Sequence, residues 1–348
     1  MYFSAKFVDD IVAYLVKRNI DHKLVEQQFE QIENSGNGGA GIVSYAFMSK
    51  VLTKAAALSG DPHFGLHLGE HQILSATEMV DEIMAKSMDI QEAFENAIEY
   101  SRLISDSMDC ALITSGEDAS VKFNLNPDWA LHDDSAIKEN MDVALVCALK
   151  SLQYLTGNQY FPKQIYFHYP RPQKINEYYR IFNCPISFGA NTTEVVFHKK
   201  HLSLNTVEGN YSLLERLKSI AKETLSNLPN NNTFEQQVKK AILEKINIQF
   251  PSVMEVAENL HLTPRSLQRR LKAENSSFNQ INNHIKFQLA LKYLRNHQYD
   301  LYEISYLLGY SEPSAFVRAF RSWTGTSPKK YIKSTSDSQL PTLIDQSN

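Results

Sequence analysis

Between Leu301 and Tyr331 the chain reads LYEISYLLGYSEPSAFVRAFRSWTGTSPKKY, an order of side chains that few folds accept. Leu301, Ile304, Leu307 and Leu308 recur at helical spacing and predict a short helix with one apolar face. Gly309-Tyr310 ends it, since glycine tolerates the left-handed conformation that turns a chain sharply between two helices. Pro313 stands where a first helical turn accepts proline. Phe316, Ala319, Phe320 and Trp323 then follow at i, i+3, i+4 and i+7 as a core-facing stripe, with Ser314, Val317, Arg318 and Arg321 opposite. A helix-turn-helix has this layout, and its second helix enters a DNA major groove. An ordinary helical hairpin with a solvated basic face satisfies the same spacing.

The choice between the two is made upstream, where the unit occurs again. Val253, Val256, Ala257 and Leu260 predict a first short helix, His261-Leu262 a turn, Thr263 an N-cap and Pro264 a first helical residue. Leu267 and Leu271 face inward. Arg265, Gln268, Arg269 and Lys272 fall at i, i+3, i+4 and i+7 on the outer face, and Arg and Gln suit bidentate bonds to guanine and adenine edges. Between the copies, Ile281, Ile285, Leu289, Leu291 and Leu294 predict one long helix from about Phe278 to Arg295. A stiff connector would let both units reach one face of a duplex about one helical turn apart.

Residues 233–333 resemble the DNA-binding domain of the AraC/XylS family of regulators. The resemblance rests on Val256-Ala257, Leu262-Thr263, Leu267-Gln268-Arg269 and Leu271-Lys272 in the first unit. In the second it rests on Ile304, Leu308-Gly309-Tyr310, Ser314, Phe316, Arg318, Phe320, Gly325, Pro328 and Tyr331. Asn275 stands where the family usually has Gly, and Asn also tolerates the left-handed conformation. Ser305 replaces a usual Ala. The resemblance implies base readout by Arg265, Gln268 and Arg269 in one groove segment and by Ser314, Val317 and Arg318 in the next. Lys272, Arg321 and Lys329 are expected on phosphates, which position a protein without specifying sequence.

Charge divides along the same line. The net charge of −4 looks wrong for a DNA binder, but Thr233–Ser334 holds 15 Lys and Arg against 8 Asp and Glu, a balance of +7. The remainder holds 20 against 31, a balance of −11. The basic part carries the electrostatic footprint of nucleic-acid contact, and the acidic part is expected to do something else. The longest purely apolar run, Val143–Leu149, is far short of the roughly 20 residues a membrane span needs. The charged N-terminus lacks a signal-peptide pattern, so a cytoplasmic protein with no membrane partner is expected. Cys110, Cys147 and Cys184 form no C-x-x-C and lie among apolar neighbours, which predicts buried reduced thiols.

The acidic part begins with two predicted helices, Ala5–Arg18 and His22–Glu33, and continues helical over 44–59, 64–70, Ile73–Met84 and Ile90–Leu103. Strands are expected at Ala111–Thr114 and Val121–Leu125 around a Ser-Gly-Glu-Asp turn, then at Lys163–Tyr169, Ile186–Phe188 and Glu194–Phe197. Helices are expected at Asp134–Leu155, Ile175–Phe182 and Asn210–Leu225. Helices grouped with a small antiparallel sheet make an α+β domain. Leu213, Leu214, Leu217, Ile220 and Ala221 form a seam that either packs on its own domain or pairs with a second copy. Tyr166, Phe167, Tyr169, Phe188 and Phe197 either line a ligand pocket or fill the core, so no ligand residues are assigned.

Three patterns suggest other chemistry. Gly36, Gly38 and Gly41 match a dinucleotide fingerprint, but the preceding EQQFEQIEN is polar and helical where a strand is required. His63, His67 and His71 recur every four residues, but apart from Glu70 no carboxylate or cysteine stands by to fix a geometry, so no metal is expected. Cys184 sits in Asn-Cys-Pro-Ile, without the histidine that an alkyl-transferring cysteine needs, and no hydrolase elbow or phosphate loop is present. The chain therefore reads as no enzyme and requires no cofactor.

Gly60-Asp61-Pro62 through Gly65-Leu66, Leu68, Gly69 and Glu70 resemble the arabinose-binding-like effector domain of the regulator subgroup typified by the ornithine-utilisation regulator. The resemblances together imply residues 1–225 as an effector-binding and dimerisation domain, 226–232 as linker, 233–334 as a double helix-turn-helix domain that is all α, and 335–348 as a disordered tail. They imply a transcription regulator, usually an activator in this family, with double-stranded DNA, a small-molecule effector, RNA polymerase and a second copy as partners. The alternative is a constitutive DNA-binding dimer without a ligand, controlled by its abundance.

Overall fold

Most helices start where the sequence offers a short polar side chain to an orphan backbone N–H. Ser44 accepts from Phe47 N, Asp89 from Glu92 N, Asn210 from Leu213 N and Thr263 from Ser266 N. Ser252 with Glu255, and Asp300 with Glu303, form complete capping boxes. The computed structural model describes residues 1–32, 41–71, 74–157, 162–228, 233–246, 250–296 and 299–335. The glycine-rich stretch up to residue 40, linker residues 229–232 and the tail from 336 lie outside the described residues. The chain divides into two units, Met1–Pro229 and Asn230–Asn348.

The first unit is α+β. In chain order it runs β1 (Tyr2–Ser4), α1 (Lys6–Lys17), α2 (His22–Glu30), β2 (Ile42–Ser44), α3 (Tyr45–Ser59), α4 (Phe64–His71), α5 (Glu78–Lys86) and α6 (Ile90–Tyr100). It continues with β3 (Met108–Ser115), β4 (Asp118–Leu125), α7 (Asp134–Leu155), β5 (Gln164–Phe167), α8 (Asn176–Phe182), β6 (Ile186–Phe188), β7 (Thr193–His198) and α9 (Tyr211–Asn227). The main sheet has the order β3-β4-β7-β5-β6. Ser115 pairs with Asp118, so Gly116-Glu117 is the expected tight turn, with Gly116 at φ +60°. Three ladders are antiparallel, but β5 and β6 run parallel, because α8 carries the chain back between them. A small β1–β2 sheet had no signal in the sequence beyond two three-residue runs.

α7 organises this unit. Twelve of its 22 residues are buried. Met141, Leu145, Val146 and Leu149 join a core formed with the sheet, α5 and α6. Ala136, Ile137 and Val143 join a second core around Trp129, α1 and α3. α4 lies against α7 through two glycines. A Cβ on Gly65 would fall 2.4 Å from the Glu139 carbonyl oxygen, and one on Gly69 would fall 2.8 Å from Val146 Cβ. The helix expected from Ile73 starts instead at Glu78. Asp10 accepts from Ser75 N, Ser75 Oγ and Ala76 N and holds that stretch out of helix.

The described elements of the second unit are all helical: α10 (Phe234–Lys245), α11 (Val253–Asn259), α12 (Pro264–Ala273), α13 (Phe278–Asn296), α14 (Leu301–Leu307), α15 (Pro313–Thr324) and α16 (Pro328–Thr335). The turns carry positive φ at His261 (+53°), Asn275 (+55°) and Gly309 (+73°), so Asn275 does adopt the conformation that glycine would. Ser305 is buried and donates its hydroxyl to the Tyr302 carbonyl, which satisfies the polar atom that a usual Ala lacks. α10, which the pattern reading passed over, is tied to the first helix-turn-helix. Glu274 accepts from Phe234 N and Glu235 N, and Arg270 lies 5.4 Å from the Phe234 ring. No described helix is long and apolar enough to cross a membrane.

Candidate functional site

On α12, Leu267 and Leu271 are fully buried and fix which face looks out. Arg265, Gln268, Arg269 and Lys272 are all exposed on that face. Among the described residues no ion pair holds Arg265, Arg269 or Lys272. On α15 the buried Phe316, Phe320 and Trp323 turn Ser314, Arg318 and Arg321 to solvent and leave Val317 partly covered. Lys329, on α16, is exposed as well. The structure therefore groups the expected contact residues on two exposed helix faces, with Lys329 apart from both. Arg270, which the spacing left unassigned, is exposed as well but lies over the Phe234 ring of α10.

The sequence reading missed Glu312. It precedes Pro313 at the start of α15, and its Oε1 accepts from Ser314 Oγ at 2.5 Å. Arg318 Nη2 lies 3.6 Å from the same oxygen, and Arg318 Nη1 donates to Ser314 Oγ at 3.5 Å. Glu312 and Arg318 are six residues apart, a spacing that gives no helical signal, and the contact forms because the Glu312 side chain folds back from outside the helix. Lys286 of α13 is also basic but is placed differently. Its Nζ lies 4.7 Å from the Phe250 ring and 4.5 Å from the Tyr310 ring, and burial lowers its pKa. It joins the segment before α11 to the turn after α14.

Of the aromatic residues considered for a pocket, three fill the core, Phe188 packs against it half-buried and Tyr166 is exposed. Phe167, Tyr169 and Phe197 are buried, and Phe167 stacks on Phe188 at 5.2 Å. A cavity of about 180 Å³ opens elsewhere, between the two cores of the first unit. Phe3 and Phe7, Met84 of α5, Phe94 of α6, Phe123 of β4 and Val143 of α7 supply its main apolar walls. Its polar margin is Thr77, Asp81 and Ser151. Ser151 Oγ donates to Asp81 at 2.7 Å, and Thr77 Oγ1 lies 2.6 Å from the other carboxylate oxygen. Burial raises the Asp81 pKa, and these two hydroxyls oppose the rise. Sequence periodicity had no means of finding this cavity, because its walls come from elements that are far apart in the chain.

The histidines do not converge on one point. His63 is buried edge-on against Tyr178, and His71 packs edge-on against Tyr14. His67 Nδ1 lies 2.6 Å from Asp61 and its Nε2 lies 3.0 Å from Glu177, which raises its pKa despite burial. Ligand-type atoms of His67, Glu70 and Glu177 come within 4.8 Å of one another, but Arg180 already bonds both carboxylates, to Glu70 at 2.9 Å and to Glu177 at 2.7 Å.

Residues 37–205 match the family model of the arabinose-binding domain of AraC transcription regulator, N-terminal, and residues 256–334 match a helix-turn-helix domain. The ornithine utilization regulator of Pseudomonas aeruginosa is 26% identical over 292 residues, 84% of each chain. The HTH-type transcriptional regulator VqsM of the same organism is 26% identical over 216 residues, 62% of this chain and 65% of that one. The crystal structure of the transcriptional regulator CdpR from Pseudomonas aeruginosa aligns over 96% of this chain and 99% of that one, at 19% identity and a TM-score of 0.45. Fold and matches define a DNA-binding transcription regulator with an N-terminal ligand-binding domain, a class distinct from enzymes. The chain belongs to the AraC family.

Proposed function

We propose that this protein is a one-component transcription activator, whose N-terminal unit binds a small-molecule effector and controls DNA reading by the C-terminal unit. The observation that carries the reading is the pair of exposed polar faces, on α12 and α15, separated by the continuous helix α13. The 19 residues of α13 span about 28 Å at roughly 1.5 Å per residue, comparable to the ~34 Å turn of B-DNA. Arg265, Gln268 and Arg269 read one major-groove segment, and Ser314, Val317 and Arg318 read the next. Arg269 and Arg318 take guanine edges. Lys272, Arg321 and Lys329 meet phosphates.

The cavity in the first unit supports effector control over constitutive binding. The unpacked side of α9 supports a homodimer: Leu214 and Ala221 are buried in their own domain, while Leu213 and Ile220 stay 39% and 51% exposed. The resemblance supports RNA polymerase as a partner and the cytoplasm as the place of action. Selection of bound sequences from a randomised duplex library with the full-length chain tests the reading. A recovered site with two short conserved blocks about one helical turn apart is expected. Binding without sequence preference would overturn base readout by these helices.

A further inference from the structure

The cavity walls restrict what the effector is. This inference rests on the reading of the first unit as the sensor. A core cavity of about 150 Å³ holds a benzene ring, so the ~180 Å³ here accommodates a substituted ring or a short chain. Its lining is almost entirely carbon. Among its polar groups, Ser105 is already bonded to Ser107 at 2.7 Å, and Asn140 donates to Ser107 at 3.4 Å. Asp81 differs from these. Among the described residues its carboxylate meets only the two hydroxyls of Thr77 and Ser151, and two carboxylate oxygens offer about four acceptor sites. Thr77, Asp81 and Ser151 also line a second crevice with Lys150 and Glu208, so they form the wall that the two share.

We infer that this cavity binds a largely apolar molecule of phenylethyl size whose single hydrogen-bond-donating head, a hydroxyl or an amine, seats on Asp81. A pentose does not suit the site, despite the description of the matched family. Most of its hydroxyls would lie against Phe, Met and Val side chains, and each buried hydroxyl left unpaired costs about an order of magnitude or more in affinity. A carboxylate head would face the Asp81 carboxylate. The apolar body enters where α5, α6 and α7 meet, and the donor takes up a free acceptor site at the wall.

Calorimetric titration of the full-length chain tests this with 2-phenylethanol, phenethylamine, phenylacetate and L-arabinose. Saturable binding of 2-phenylethanol or phenethylamine is expected, with a negative heat-capacity change from apolar burial, and at least tenfold weaker binding of phenylacetate and L-arabinose. Asp81→Asn should weaken phenethylamine by about tenfold and 2-phenylethanol much less, since an amide oxygen still accepts from a hydroxyl. Ala144→Phe and the smaller change Ala148→Leu, two side chains on the α7 wall, should each abolish binding. Preference for phenylacetate or L-arabinose, or failure of all four probes to bind, overturns the inference. Retention of duplex binding by the same sample separates that failure from failure of the regulator reading, which falls only if DNA binding is absent.

Discussion

Arg318 Nη2 rests 3.6 Å from Glu312 Oε1, across the first turn of α15, with Ser314 bonded to both side chains. Both partners are exposed, so the pair adds little to stability. Under the proposed base readout by Arg318, its effect is on what that side chain does before a cognate base is present. A carboxylate beside the guanidinium repels phosphate, while one Arg318 donor is taken by Ser314 Oγ. Glu312→Gln should therefore raise affinity for random-sequence duplex about threefold to tenfold and steepen its salt dependence by about one counterion. Titrations across a salt series check this, and unchanged non-specific binding would remove the assigned role from Glu312.

Arg318 and Lys272 should fail in different ways. Arg318→Ala is expected to cost about 1–3 kcal/mol at a selected site and to relax one base position. Lys272→Ala is expected to weaken cognate and random DNA equally. Competition binding against single-base variants distinguishes the two, and an equal loss on both DNAs for Arg318→Ala would rule out base readout there.

The glycines of α4 should rank by what their added Cβ meets. Gly65→Ala places a methyl 2.4 Å from a backbone carbonyl of α7, and Gly69→Ala places one 2.8 Å from a Val146 side-chain atom. Overpacking of this kind costs about 1–3 kcal/mol and more where backbone must move. Thermal unfolding should show the larger loss for Gly65→Ala; the reverse order would mean that α4 shifts along α7 as a body.

Acid should weaken the second unit through His284. Burial, with Lys239 adding repulsion, pushes His284 down to about 4. The unfolded chain takes up that proton near pH 6.5 and the folded chain does not, so the stability is present above pH 6.5 and is lost progressively as pH falls toward 4, by about 3 kcal/mol at most. Of the two tryptophans, Trp129 lies in the first unit and Trp323 in the second. Fluorescence of Trp129→Phe protein in denaturant titrations therefore reports the second unit. His284→Gln should flatten the profile, and an unchanged slope would show that another group carries it.

Thiol chemistry should be slow throughout. Burial pushes Cys110 and Cys147 up to about 12 and Cys184 to about 11. At neutral pH the reactive thiolate fraction is then lower than in a free cysteine by roughly two orders of magnitude or more. Labelling kinetics test this directly, and a fast-reacting Cys184 would reopen the question of alkyl transfer.

The sequence by itself determined the two helix-turn-helix units and the helix between them, though not α10. Its signals are local: apolar side chains at helical spacing, a Thr or Asp before a helix, a Pro in its first turn, and a Gly or Asn where φ must be positive. Asn275, Gly309 and the span of α13 were legible for that reason, as were α7, the β3–β4 hairpin and the outward faces of α12 and α15. Contacts between elements were decided only by the tertiary structure. Asp10 holding Ser75, Glu312 reaching Arg318, Lys286 between Phe250 and Tyr310, Gly65 against Glu139 and the cavity around Asp81 each join residues at separations with no periodic signature. Periodicity records which side of an element is apolar. Which partner covers that side, and where the cover is incomplete, depends on how the whole chain packs.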